Sequence, residues 1–288
     1  MAGFREETKV VALTVYLNGQ FLPYEQAAIP VEDRAFLLAD GIYEVIRVYR
    51  GRPFCMEEHL KRLQRSARAI RLPEPDLDEL RQVAAKLIAL NGLTEATIYI
   101  QISRGAYSPR THAFPAEPVR PTVLVIAREF TGHPELNRRG VKAITVPDQR
   151  WARCDIKSVA LLPNVLAKQQ AAEAGAYEAI FVRDGIAIEG SSSNLFAVLD
   201  GEIRTYPACN YILRGITRDV VLDLARELGY SVREEGIPVE DLSRCSEVWI
   251  TSTTSEVMPI VEIDGRPVGD GRPGPVALAL YRAYAERV

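Results

Sequence analysis

The sequence predicts two α+β domains, the second built on a barrel-like sheet. Short apolar or β-branched runs recur along the chain and are joined by turn dipeptides such as Asn18-Gly19, Arg50-Gly51, Asp184-Gly185, Asp200-Gly201 and Asp264-Gly265. Segments with helical periodicity lie among them without strict β-α-β alternation. A polar stretch carrying Gly and Pro, "REFTGHPELNRRG", divides the 288 residues. The expected organisation is a small N-terminal domain over 1–129, an interdomain linker over 130–141 and a larger C-terminal domain over 142–288.

In order, "VYL" and "FLP" read as a hairpin around Asn18-Gly19, and "EVIRVY" and "RPFCM" as another around Arg50-Gly51. In "MEEHLKRLQRSARAIRL" the side chains of Leu60, Leu63, Ala67 and Ile70 share one helical face, and Pro73 stops the helix. Residues 76–90 repeat the pattern and end at Asn91-Gly92, a C-cap signal. "ATIYIQIS" and "PTVLVIA" read as strands flanking a loop of Arg, Pro, Tyr and His. Beyond the linker come the strand "VKAITVP", a helix over about 164–174 ended by Gly175, two hairpins, a helix over 217–228, the strand "EVWIT" and a last hairpin.

The composition, 47% hydrophobic and 25% charged, is that of a globular protein with ample core. A formal net charge of −3, with Lys and Arg dispersed among Asp and Glu, argues against a polyanionic partner. No apolar run approaches the ~20 residues that cross a bilayer. The first residues place acids before a short apolar stretch with no small-residue cleavage site, so a cytoplasmic protein is expected. Cys55, Cys154, Cys209 and Cys245 are far apart, and His59, His112 and His133 have no metal-ligand spacing, so buried thiols and no metal are expected.

Four polar clusters sit at strand ends or helix starts. In "LRGITRDVVLDLARELG", Gly215 permits a tight turn, and the amides of Ile216 and Thr217 at a helix N-terminus suit a phosphate, although an ordinary N-cap reads the same. In "VWITSTTSEVMPI" five hydroxyl residues, Thr251 through Ser255, follow a strand and could hold the same anion or form a polar turn. Glu189, at the end of the apolar "AIAIEG", is a carboxylate near the interior that needs a cation or a donor, such as a protonated ring nitrogen. Lys157 follows "RCDI" and precedes an apolar run, a setting that favours the neutral amine required for a Schiff base. Two phosphate cradles, a carboxylate for a ring nitrogen and a reactive amine are the parts that hold pyridoxal 5′-phosphate.

"RCDIKS", "LAKQ", "YEAI", "EGSSSN", "GITRD" and "TSTTSE", in this order, resemble the fold-type IV pyridoxal-phosphate enzymes, and within them the bacterial D-amino acid aminotransferases. The likeness runs from about Tyr16 to about Asp270. It implies a small α/β domain and a larger pseudo-barrel domain, with Lys157 as the Schiff-base lysine and proton carrier. It further implies that Glu189 pairs with the pyridine nitrogen, that Arg62 binds the phosphate with Ile216, Thr217, Ser252 and Thr253, and that Leu213 packs on the ring face. Tyr43, Arg110 and His112 are implied as the binders of the substrate carboxylate, the last two reaching across a homodimer. Two departures stand out: residues precede the family's usual start, and the loop "GAYSPR" is longer by one than the typical form.

The expected activity is therefore transfer of an amino group from a D-amino acid to a 2-oxo acid. A branched-chain L-amino acid aminotransferase or an aminodeoxychorismate lyase is the alternative within the superfamily. Branched-chain enzymes tend to carry "EGAGEN"-like and "SGTAAE"-like stretches where this chain has "EGSSSN" and "TSTTSE", and they lack the Arg-x-His pair. A cofactor-free Schiff-base aldolase would leave Glu189 and both cradles unexplained, and a binding protein would leave Lys157 without a purpose.

Overall fold

The computed structural model describes residues 13–288, and the first twelve residues, which precede the family likeness, lie outside this range. In the first half, β1 (Thr14–Leu17), β2 (Gln20–Pro23), α1 (Arg34–Leu38), β3 (Gly41–Tyr49), β4 (Arg52–Pro53), α2 (Met56–Ala69), α3 (Leu77–Leu90), β5 (Ala96–Ser103) and β6 (Thr122–Glu129) follow one another. The strands form one antiparallel sheet in the order β2-β1-β6-β5-β3-β4. Both turn dipeptides lie where the sequence puts them, with Asn18 and Arg50 at φ near 51° and 50° ahead of their glycines.

The helices cover this sheet with the residues their spacing selects. Leu60, Leu63 and Ala67 of α2 and Val83, Ala84 and Leu87 of α3 join Ile46, Ile98 and Ile100 of the strands in one core. Each such burial contributes about 1.5–3 kcal/mol for a large aliphatic. Asp76 starts α3 by accepting from the amides of Asp78 and Glu79 at 3.0 and 2.9 Å.

The second half runs α4 (Pro134–Arg139), β7 (Val141–Pro147), α5 (Leu162–Glu173), β8 (Glu178–Arg183), β9 (Ile186–Gly190), β10 (Asn194–Leu199), β11 (Glu202–Thr205), α6 (Ile216–Glu227), β12 (Val232–Glu234), β13 (Ile237–Pro238), β14 (Glu247–Ser252), β15 (Glu256–Ile263), β16 (Arg266–Pro267) and α7 (Pro275–Arg287). Its sheet follows β12-β11-β10-β14-β15-β7-β8-β9-β13, and β9 also pairs with β10 at Glu189 opposite Asn194. That extra pairing closes β10, β14, β15, β7, β8 and β9 into a ring, filled by Val141, Ile180, Leu195, Ile250, Met258 and Ile260. The class is α+β with a barrel-like second sheet, as the turn pattern predicts.

Three helices are not apparent from the sequence. The segment read as a polar linker carries α4, whose Asn137 is 1% exposed. Helix α1 is too short, at five residues, to show periodicity in the sequence. Helix α7 buries Ala277, Leu280 and Tyr284 against α6, β14 and β15, a helical spacing beyond the last turn used for the sequence reading.

What positions the site is the crossing segment after β7. Tyr43 N donates to Lys157 O at 3.0 Å, Val159 N to Gly41 O at 3.0 Å, and Ser158 forms an isolated bridge with Ile42. Ile156 belongs to the core of the first sheet although the chain around it belongs to the second. The peptide of Lys157 is thereby clipped to β3, and its amide donates to Ser66 Oγ on α2 at 3.2 Å.

Candidate active site

Between the two sheets lies a cavity of about 410 Å³. Tyr43 and Arg62 reach it from the first sheet and its helices. Lys157, Glu189, Leu213, Ile216, Thr217, Ser252 and Thr253 reach it from the second half. Nine of the eleven residues singled out in the sequence therefore line one space. Arg110 and His112 do not: both are exposed on the loop after β5 and line no part of it within the single chain.

Lys157 is half-buried, with Nζ 4.2 Å from the centroid of the Tyr43 ring. An ammonium over that face is stabilised by the ring quadrupole, and the contact holds the side chain towards the cavity. Its position follows from the clip described above, because the backbone on both sides is fixed to β3.

Glu189 ends β9 at the seam where the barrel closes. Arg150 Nη1 donates to its Oε1, and Oε2 accepts from Asn194 Nδ2 and Leu213 N, each at 3.1 Å. Burial raises its pKa, and although Arg150 and the Leu213 amide pull it down, the group settles at about 7. Arg150 is itself held by Asp148, by Tyr211 O and by the Phe181 ring, 4.1 Å from its guanidinium carbon. Sequence reasoning missed Arg150, Asp148 and Asn194. Only the strand-end position of "PDQRW" hinted at a role, and pairing across the barrel is invisible locally.

Arg62 is buried, with Nε and Nη2 on the two oxygens of Glu44 at 2.7 and 2.8 Å and Nη1 on Arg214 O at 2.9 Å. Glu44 is fully buried. Burial favours its neutral acid, but Arg62 and the His59 ring at 2.8 Å outweigh that and hold it well below the usual carboxylate range. Three of the five guanidinium protons are used in these bonds, which leaves two for a ligand in the cavity. Periodicity alone would have put Arg62 on a solvated face.

Across from Arg62, α6 starts at Gly215 with extended backbone and no side-chain cap, so the first amides of a helix open on the cavity. A Cβ at Gly215 would sit 2.1 Å from Asn194 Oδ1, so only glycine lets the turn pack there. Thr251 Oγ1 is buried at the cavity wall without a hydrogen-bond partner among the described residues. The next hydroxyls belong to a shaped turn: Ser252 Oγ accepts from Ser255 N at 3.0 Å, and Asn137 Nδ2 spans Ser255 O and Val257 O at 2.7 and 2.8 Å. The serines of "EGSSSN" are likewise tied, Ser191 and Ser193 donating to the buried carboxylate of Glu178.

The set fits pyridoxal 5′-phosphate chemically. The free helix amides, the unpartnered Thr251 hydroxyl and the spare donors of Arg62 suit a dianionic phosphate. A buried carboxyl poised near neutrality can share a proton with a ring nitrogen, and Lys157 supplies an amine.

Comparison with known proteins agrees. The family model for amino-transferase class IV matches residues 41–263. The D-alanine aminotransferase of Staphylococcus epidermidis is 43% identical over 275 residues, covering 95% of this chain and 97% of the relative. That of Listeria monocytogenes serotype 1/2a is 40% identical over 278 residues, covering 96% of each. Among solved structures, the Escherichia coli branched-chain amino acid aminotransferase superposes with a TM-score of 0.87 at 31% identity, covering 95% of this chain and 93% of that one. A T.th. branched-chain enzyme complexed with N-(5′-phosphopyridoxyl)-L-glutamate gives 0.85 at 33% identity, covering 96% and 93%. The cavity with its lysine, carboxylate and phosphate-type cradle, and the match over most of the chain, place this protein in the amino-transferase class IV family.

Proposed function

We propose that the chain is a pyridoxal 5′-phosphate-dependent D-amino acid transaminase. It takes the amino group of D-alanine or D-glutamate and passes it to 2-oxoglutarate or pyruvate in a ping-pong sequence. The observation that carries this is the convergence of Lys157, Glu189, Arg62 and the open N-terminus of α6 on one cavity. The relatives named D-alanine aminotransferase at 40–43% identity select the D-series within the family.

When bound, the cofactor supplies an electron sink that makes the substrate Cα–H acidic. Lys157 Nζ attaches the cofactor and afterwards moves the proton, as acceptor and then donor. Glu189 holds a proton against the ring nitrogen, and Arg150 and Asn194 fix the carboxylate that does so. Arg62, Ile216, Thr217, Ser252 and Thr253 bind the phosphate, and Leu213 packs on the ring face. Tyr43 binds the substrate carboxylate with Arg110 and His112, whose planar and ring donors suit two charge-assisted bonds. In a homodimer the last two come from the second copy, which accounts for their distance from the cavity of their own chain. The boundary between the two domains falls in 130–141, and the cytoplasm is the compartment in which the four free cysteines stay reduced. Among the described residues no helix is long and apolar enough to cross a membrane.

The test has two arms. Borohydride reduction of the holoenzyme followed by peptide sequencing places the pyridoxyl group on Lys157; a tag on another amine refutes the assignment. Mixing the holoenzyme with D-alanine or L-leucine then separates the substrates, and D-alanine bleaches the visible cofactor band quickly. Bleaching by L-leucine instead would establish the branched-chain reading, which the solved structural neighbours favour.

A further inference from the structure

Outside the cavity, two buried arginines meet on one carboxylate. Arg34 and Arg104 are 4% and 7% exposed. Arg34 Nε donates to Asp40 Oδ2 at 2.8 Å, and Arg104 donates through Nε and Nη2 to both Asp40 oxygens at 2.7 and 2.9 Å. Burial alone would favour the neutral acid, yet the two guanidinium groups hold Asp40 below the usual carboxylate range. One positive charge remains uncompensated by carboxylate, and its donors go to backbone carbonyls.

Arg34 Nη1 donates to Thr111 O at 2.7 Å, and its Nη2 lies 3.5 Å from His112 O. The Arg104 guanidinium lies over the Phe114 ring, 3.7 Å from the centroid, while its other donors hold Ile70 O and Arg71 O at 2.7 and 2.9 Å. The loop from β5 to β6 lacks a regular ladder, and this cluster grips it at residues 111, 112 and 114. The side chains of Arg110 and His112 stay exposed on that gripped backbone. Asp40 also accepts Arg104 N on its backbone oxygen at 3.1 Å and directly precedes β3, the strand that carries Tyr43.

We propose that Arg34, Asp40 and Arg104 are positioning residues for substrate-carboxylate recognition: they set the loop backbone from which Arg110 and His112 present their side chains to the second copy. The inference rests on Arg110 and His112 binding that carboxylate. A free loop of this length samples many arrangements, and a bidentate guanidinium contact tolerates little displacement. Lysine at position 34 would keep a charge but could not span Asp40 and two carbonyls, because its ammonium lacks the planar fork.

Holoenzyme carrying Arg34→Lys, Phe114→Ala or Arg110→Ala, and the Arg34→Lys/Arg110→Ala double variant, is assayed with D-alanine and with D-alaninamide, which has no carboxylate. Arg34→Lys should raise the KM for D-alanine by roughly tenfold with a smaller change in kcat. It should leave D-alaninamide turnover and the visible spectrum nearly unchanged, and its effect on D-alanine should shrink in the Arg110→Ala background, where only His112 remains to be positioned. Phe114, at 46% exposure, tests the same grip with little burden on folding, and its alanine variant should follow the same pattern. Equal losses on both substrates, or an Arg34→Lys effect that multiplies with Arg110→Ala, would show a merely structural cluster and overturn the proposal. An Arg110→Ala variant with unchanged KM for D-alanine would remove the carboxylate assignment of the loop itself, and the positioning role with it.

Discussion

Replacing Glu189 by Gln in the cofactor-free protein should change how stability depends on pH. In the folded state burial raises this carboxyl from its ordinary 4.5 to about 7. In the window between those values the native chain holds a proton that the unfolded chain has released, so unfolding loses a proton and stability falls as pH rises. Below the lower value both states are protonated, and above the upper one both are ionised, so the dependence from this group flattens at each end. A rise from 4.5 to about 7 corresponds to about 3 kcal/mol across the window. The group is 4% exposed, so little solvent screening reduces that figure. Urea denaturation of wild type and Glu189→Gln at matched protein concentration, every half pH unit from 4.5 to 8, gives the difference curve. Glutamine cannot titrate, so the wild type should lose about 3 kcal/mol relative to the variant between the ends. Parallel curves would refute the argument: Arg150, Asn194 and the Leu213 amide would then stabilise the anion enough to cancel burial, and Glu189 would be an ordinary ion-pair partner.

Lys157→Ala should bind the cofactor without the borohydride-reducible link and lose at least about a thousandfold in transamination, measured in single turnover, since among the described residues no other lysine lines the cavity to carry the proton. Gly215→Ala drives a Cβ to 2.1 Å from Asn194 Oδ1, which should weaken cofactor binding in equilibrium dialysis and destabilise the fold by about 1–3 kcal/mol in thermal melts. Asn137→Ala leaves the carbonyls of Ser255 and Val257 without their shared donor, at a cost of about 1–3 kcal/mol in urea, with a raised dissociation constant for inorganic phosphate read by calorimetry.

The division of labour between sequence and tertiary structure follows from the range of the signals. Turn dipeptides, the apolar faces of α2 and α3 and the stop signals after them act within a few residues, so the elements were legible where such signals occur. Lys157, Glu189 and the Gly215 turn were legible too, because a polar group set beside apolar neighbours stands out locally. Helix α1 was too short to announce itself, and the polar composition of the 130–141 stretch concealed a helix whose asparagine points inward. What only the folded chain decided are the pairings across long separations: Arg150 with Glu189 at the barrel seam, Glu44 with Arg62, Arg34 with the carbonyls of Thr111 and His112. A charged side chain in sequence carries no mark of its partner. Burial selects the partner, because a charge removed from water is tolerated only where the fold brings its counter-charge or donors within hydrogen-bond reach.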